Sequence, residues 1–485
     1  MKAIIYIVIS AAIALNSITL VFGHNILIPK IGDTSSQYMS ISQENRLGDI
    51  IYSQILGSFK LINDPIVTSY IQKLGNRLLI SDHNNSINYR FLVANDLSIN
   101  AFATPGGIIV INSGVILHTK SEAELASVLA HEIAHVKARH LSRMHEQSSK
   151  VDITTALTVL ATIVAGIYDS DAIGGTYITG QGINAQKQIS FMRENEKEAD
   201  RLAINILANA NINPKAMSNF FRTLLKKNNE DGAIEWLRTH PLTKNRIIET
   251  EILSSKYKGN FTDDSFAYQF ISAKISMNNI DTRKFISSYK YKEKETHTSP
   301  SKVIDHYGYG LALVEEKKYK KAIIVFKKLL NFLNTKEQLY TIKNYIYIAL
   351  ANAYLKNNNF QESIAILENL HNIYPTDNSI LYYLSNAYIN NNEYKKVLEK
   401  LIPYVIEYKD HRLIIKISEA AYKLKQQSLG HEYRGDYLKI IGSFNSAIKF
   451  YNLALKYNMK GSTIDKRILS KIKEIKKLQK PKEIL

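Results

Sequence analysis

The sequence predicts an α+β domain, mainly helical with a small sheet, followed by an all-α solenoid of helical repeats. Three observations carry this: β-branched runs confined to residues 88–112, helical periodicity over most of the rest, and three Ala-Tyr pairs spaced by 34 residues in the C-terminal half. With 485 residues, 45% hydrophobic, 22% charged, 21 glycines and 9 prolines, the chain has the profile of two to four well-cored globular domains. It contains no cysteine, which excludes disulfides, thiolate ligands and a catalytic thiol, so any metal must be held by nitrogen and oxygen. The net charge of +18 is spread along the chain with no recognition motif beside it, and nucleic acid is not an expected partner.

Taken in order, Met1-Lys2 supplies a positive charge, Ala3 to Phe22 runs almost wholly apolar, and Val21 and Gly23 are spaced as signal peptidase reads them. Residues 1–23 are expected to be a signal peptide, the alternative being a retained membrane anchor; either way the body of the protein lies outside the cytosol. Glu44 to Leu79 reads helical, with Leu47, Ile50, Ile51, Ile55 and Leu56 at spacings of one to four. Asn88 to Val93 and Gly107 to Asn112 read as strands punctuated by Pro-Gly-Gly. Ser121 to His140 reads as a helix opened by a capping box of Ser121 and Glu124. Ile153 to Ile167, 15 residues with four threonines, is too short for a confident span and is expected as a buried or surface-lying helix. From about Asn195 onward nearly all is helical. A composition shift at Thr296 to Ser301 marks a linker, which sets the domains at 24–295 and 302–485.

In the second domain, Ala353-Tyr354, Ala387-Tyr388 and Ala421-Tyr422 recur at the period of tetratricopeptide repeats. Leu350 and Leu384, Phe360 and Tyr394, and Ile364 and Leu398 keep the same register, and units at Tyr307–Ala322 and Phe444–Ala447 extend the array. Stacked helix pairs make a concave face suited to segments of other proteins, so this half is expected to bind. The Lys-rich tail from Lys466 to Lys482 reads as a solvated helix face, offering at most peripheral membrane contact.

The chemistry lies in the capped helix, which carries His131-Glu132-Ile133-Ala134-His135. Two imidazoles four apart project from one helix face and reach a single tetrahedral zinc, with Glu132 placed to take a proton from a water there. A third ligand is needed, and Arg193-Glu194-Asn195-Glu196-Lys197-Glu198-Ala199-Asp200 offers it. Glu196 and Asp200 share one helix face, so Glu196 can complete a His2Glu set and Asp200 can accept the free ring N–H of a ligating histidine. Glu194 and Glu198 are rivals by residue type, each on a different face.

This constellation resembles the HtpX-like and CAAX-prenyl-protease-like gluzincin metallopeptidases, in which the third ligand belongs to an E-x-x-x-D motif, here Glu196 to Asp200. The resemblance extends to Asn100-Ala101-Phe102-Ala103 ahead of Pro105-Gly106-Gly107, which it implies is an edge strand that binds substrate by backbone pairing. It extends also to His240-Pro241 with Arg246, implying that His240 or Arg246 stabilises the oxyanion, or that His240 gates the zinc. With export and repeats added, the resemblance implies one Zn2+ per chain and a periplasmic endopeptidase. Its implied clients are misfolded or stalled outer-membrane proteins, and its implied partner the outer-membrane β-barrel assembly machinery. The alternative is a repeat-based periplasmic chaperone or adaptor with latent proteolysis.

Overall fold

A computed structural model of the chain describes residues 40–80, 86–147, 182–232, 234–289, 300–334 and 342–478. The leader at 1–23, the Ile153 to Ile167 segment and residues 296–299 of the expected linker lie outside them. Ser40 opens α1 (Ile41–Ser58) with a complete capping box: its hydroxyl accepts from Gln43 N, and the Gln43 carboxamide accepts from Ser40 N. The single helix expected over Glu44 to Leu79 is two. Asn63-Asp64-Pro65 breaks it, because proline cannot continue a helix but suits the first turn of the next, and Asp64 caps that helix, α2 (Pro65–Leu78).

Strands β1 (Arg90–Ala94), β2 (Ala101–Thr104) and β3 (Ile108–Asn112) form a sheet ordered β1-β3-β2, with β1 parallel and β2 antiparallel to β3. The β2–β3 turn needs Gly106 and Gly107, whose φ values are +77° and +81°. A Cβ on Gly106 would also stand 2.5 Å from the Glu44 carbonyl and from Gly48 Cα of α1.

After α3 (Ser113–His118), helix α4 (Glu122–Lys137) is buried along almost its whole length. Ser121 caps it by accepting from Glu124 N, but the expected reciprocal bond is displaced: Glu124 accepts from Lys120 N, one residue upstream of the cap. Then follow α5 (His140–Gln147), α6 (Gly182–Asn209), α7 (Ala216–Asp231), the short α8 (Glu235–Thr239) and α9 (Lys244–Ser255). Helix α6 therefore begins ahead of Asn195. Leu125, Leu129, Ile133, Ala199, Ala203, Leu207, Phe220 and Phe221 bury α4 against α6 and α7, so the central helix is fixed on several sides.

The remaining helices are α10 (Phe266–Met277), α11 (Thr282–Tyr289), α12 (Pro300–Glu315), α13 (Tyr319–Asn334), α14 (Lys343–Lys356), α15 (Phe360–Ile373), α16 (Asn378–Asn390), α17 (Tyr394–Tyr408), α18 (His411–Lys423), α19 (Gln427–Ile440), α20 (Phe444–Leu455) and α21 (Thr463–Leu478). Pro300 and Ser301, expected in the linker, open α12, since proline is favoured in a first turn. From α12 on, successive helices pack on one another, and Ala353, Ala387 and Ala421 are all fully buried. None of the described helices is long and apolar enough to cross a membrane.

The helical array does not hang free. Helix α16 packs on α2, and one hydrophobic cluster runs from Tyr70, Ile71 and Leu74 into Ile380, Tyr383 and Leu384. Lys274 of α10 reaches Asp64 at 3.1 Å, Lys73 reaches Asp377 at 2.7 Å, and Arg412 bonds Thr68 and Asp410.

Candidate metal centre

Helix α4 presents His131 and His135 one turn apart, their Nε2 atoms 3.0 Å from each other. Helix α6 crosses α4 and delivers Glu196, whose oxygens lie 3.4 Å from His131 Nε2 and 3.4 Å from His135 Nε2. From the end of α8, His240 brings Nδ1 to 3.3 Å from His131 Nε2 and 3.1 Å from Glu196 Oε1. Among the described residues these four form the one group able to hold a metal ion, their ligand atoms all within 4.8 Å.

The donor set fits zinc. Ligand atoms about 2.05 Å from a tetrahedral centre stand about 3.3 Å apart, and with either Glu196 oxygen taken as the ligand four of the six separations fall between 3.0 and 3.4 Å. A mutual hydrogen bond is a poor account of paired Nε2 atoms with a carboxylate across both. Three imidazoles and one carboxylate in a buried pocket are the hard-to-borderline nitrogen and oxygen set that zinc takes.

Around this group sits a second layer of charge. Asp200, one turn beyond Glu196, lies 3.2 Å from His131 Nδ1, within electrostatic reach but off the line of a ring hydrogen bond. Arg246 bonds Asp200 through Nε and Nη2 at 2.7 and 2.8 Å, Glu196 at 3.0 Å and the Pro241 carbonyl at 2.9 Å. Burial pulls the His131 imidazole down, but the Asp200 and Glu196 carboxylates outweigh it and raise it to about 9. Burial leaves the His135 imidazole below its ordinary value. Burial pushes both carboxyls up and is overcome, at Glu196 by His240, His135 and His131 and at Asp200 by Arg246, so both are held below the usual range.

Glu132 is 1% exposed, and its Oε1 has no hydrogen-bond partner. The nearest charge-bearing group is His240 Nε2 at 3.5 Å. Asn100 to Ala103 enter β2, the sheet edge beside α4, and the Asn100 Oδ1 is also buried without a partner. Ile99 accepts from Trp236 N, which ties α8 and hence His240 to this edge.

The structure thus brings together His131, His135, Glu196, Asp200, His240 and Arg246, with Glu132 beside them. Of the rivals, Glu194 turns to solvent against Lys197, and Glu198 faces away from the cluster toward His140 and Arg143. Arg246 is 3% exposed, with its guanidinium engaged on Asp200, Glu196 and the Pro241 carbonyl. Sequence reasoning passed over two residues. Trp236, the chain's single tryptophan, stacks on His240 at 4.8 Å and 27°. His140 meets His135 ring to ring; its signal was a further histidine five positions after the pair.

A helix-borne His-x3-His pair facing a glutamate from a second helix defines the construction of a metallopeptidase centre. Residues 65–252 match peptidase family M48. The chain belongs to that family. It is 30% identical over 371 residues to the beta-barrel assembly-enhancing protease of Escherichia coli K12, covering 70% of this chain and 75% of that one. It is 34% identical over 307 residues to the protein of the same name from Yersinia pestis, covering 63% of each. A mitochondrial metalloendopeptidase OMA1 of Schizosaccharomyces pombe is 25% identical over 217 residues, 44% of this chain and 61% of that one. The chain thus spans less than two thirds of the Yersinia relative's length.

Proposed function

We propose that the chain is a zinc metalloendopeptidase whose ligands are His131, His135 and Glu196. The carrying observation is their convergence at tetrahedral spacing beside a buried carboxylate, Glu132, with an unsatisfied oxygen. When bound, zinc supplies Lewis acidity to a scissile carbonyl and brings a water within reach of deprotonation near neutral pH. Glu132 accepts that proton and returns it to the leaving amine. Asp200 holds the His131 ring, and Arg246 keeps Asp200 and Glu196 ionised in a buried site. The Asn100–Ala103 edge binds an extended peptide by backbone pairing.

His240 stands where a substrate carbonyl or water would need the fourth corner, which supports a latent centre that His240 must leave before peptide binds. That same observation favours the second reading, a chaperone or adaptor whose proteolysis is kept latent. The names of the relatives support a role in β-barrel assembly; to this we add misfolded outer-membrane proteins as substrates, the barrel assembly machinery as partner and the periplasm as location. We take the helical array as a tetratricopeptide solenoid over 302–485 that recruits them, and 24–295 as the peptidase domain behind a signal peptide.

The test is metal content and casein cleavage of the full chain beside Glu132→Gln. About one zinc per chain, with cleavage falling about 10²–10⁴-fold in the variant, is expected. Zinc in both forms with no cleavage in either would favour the adaptor, and no zinc at all would overturn the site.

A further inference from the structure

The two histidines of α4 are mounted differently. His131 backs onto the Asp200 carboxylate, whereas His135 backs onto another imidazole. Helix α4 ends at Lys137, and Arg139 takes a left-handed φ of 53°, which reverses the chain so that α5 starts with His140 folded beneath His135. Arg139 and Ser142 both bond the buried Glu44 of α1, and this pins the reversal. His140 is itself buried, its Nδ1 3.0 Å from His135 Nδ1 and its Nε2 3.1 Å from Glu198 Oε2. Arg143 Nη1 meets the same Glu198 oxygen at 3.1 Å, and that carboxylate reaches solvent.

Two Nδ1 atoms at hydrogen-bond distance share one proton, so one is donor and the other acceptor. A histidine that ligates through Nε2 carries its proton on Nδ1. His135 therefore donates, His140 Nδ1 accepts, and the His140 proton sits on Nε2, where the ionised Glu198 accepts it. One set of tautomers satisfies every ring nitrogen along the line.

We propose that His140 is a positioning residue that fixes the tautomer and ring plane of His135, with Glu198 and Arg143 anchoring it at the surface. This rests on the reading of His135 as a metal ligand. It gives Glu198 a part in the centre without touching the metal, and it explains the position that Glu198 takes on α6.

Zinc affinity measured by chelator competition on the full chain tests it, with the melting of the metal-free form as a control on folding. His140→Leu is expected to weaken zinc about 10–100-fold. His140→Gln, whose carboxamide accepts from His135 and donates to Glu198, is expected to recover most of that loss. Glu198→Leu, at a half-exposed position that tolerates an apolar side chain, gives a smaller loss in the same direction and serves if His140→Leu fails to fold. Unchanged affinity in both Leu variants would overturn the proposal, as would equal losses in His140→Leu and His140→Gln, which would mark a packing role. A wild-type chain that binds no zinc would sink the metal-site reading itself, which the variants alone do not.

Discussion

At the residue scale the centre balances burial against charge. Arg246 stands between two buried carboxylates, and burial, which pulls its guanidinium down, is overcome by Asp200 and Glu196. Arg246→Met would leave Asp200 in the interior with the His131 ring as its one remaining charged neighbour, and is expected to destabilise the metal-free fold by up to about 3–5 kcal/mol, read by chemical denaturation. His240→Ala should keep zinc through three remaining ligands and raise peptide cleavage, since it removes a competitor for the fourth corner; no rise would count against latency. Most of this was legible from spacing alone, because two residues four apart on a helix must share a face, and that tied His131 to His135 and Glu196 to Asp200. Which face of α6 meets the histidine pair of α4 was not legible. Choosing Glu196 over Glu198 depends on the crossing of α4 and α6, which no local pattern records. His140 was hidden for a like reason: a helix continued to His140 would carry it away from His135, and only the left-handed turn at Arg139 brings it back.

At the element scale the secondary structure followed local signals where they were read in full and departed where one was passed over. The strands and α4 stand within a residue or three of their expected limits, because β-branched runs and a serine cap are strong local signals. The break between α1 and α2 was written in Asp64-Pro65 but masked by apolar periodicity on both sides. The cap of α4 is worth about 1 kcal/mol to the helix that bears the site, so Ser121→Ala should lower thermal stability measurably while leaving zinc content unchanged. Gly106→Ala should do more harm. It adds a Cβ into the α1 backbone at a left-handed φ, and is expected to cost at least about 1–3 kcal/mol and to weaken peptide binding at the β2 edge it supports. Cleavage kinetics with a rise in KM larger than the fall in kcat would separate the second effect from plain unfolding.

At the scale of the whole molecule, the repeat period was legible but its docking was not, since the groups that join are far apart in the chain. Lys274 is buried and held charged, with Asp64 outweighing the burial that pulls it down. Burial raises Asp377 and Asp410, but Lys73 and Arg412 outweigh it, so both carboxyls titrate below their ordinary value of 3.8. A carboxyl depressed by folding contributes stability that is complete above about pH 5 and is lost as pH falls through 3.8 toward the folded value. Denaturant midpoints are therefore expected to drop as pH falls below about 4, and less so in an Asp377→Asn, Asp410→Asn variant.

The apolar cluster that runs unbroken from α2 into α16 has a practical consequence for how the chain can be divided. A recognition sequence for a site-specific protease, inserted between residues 291 and 299, would yield two polypeptides that elute together on a sizing column. Expressed separately, each half would present its bared share of Tyr70, Ile71, Ile380 and Leu384 to water and be prone to aggregate. Deleting the repeats to ask whether the remainder still cleaves would thus report on solubility before it reported on chemistry. The nicked but undivided protein is the better instrument for that question.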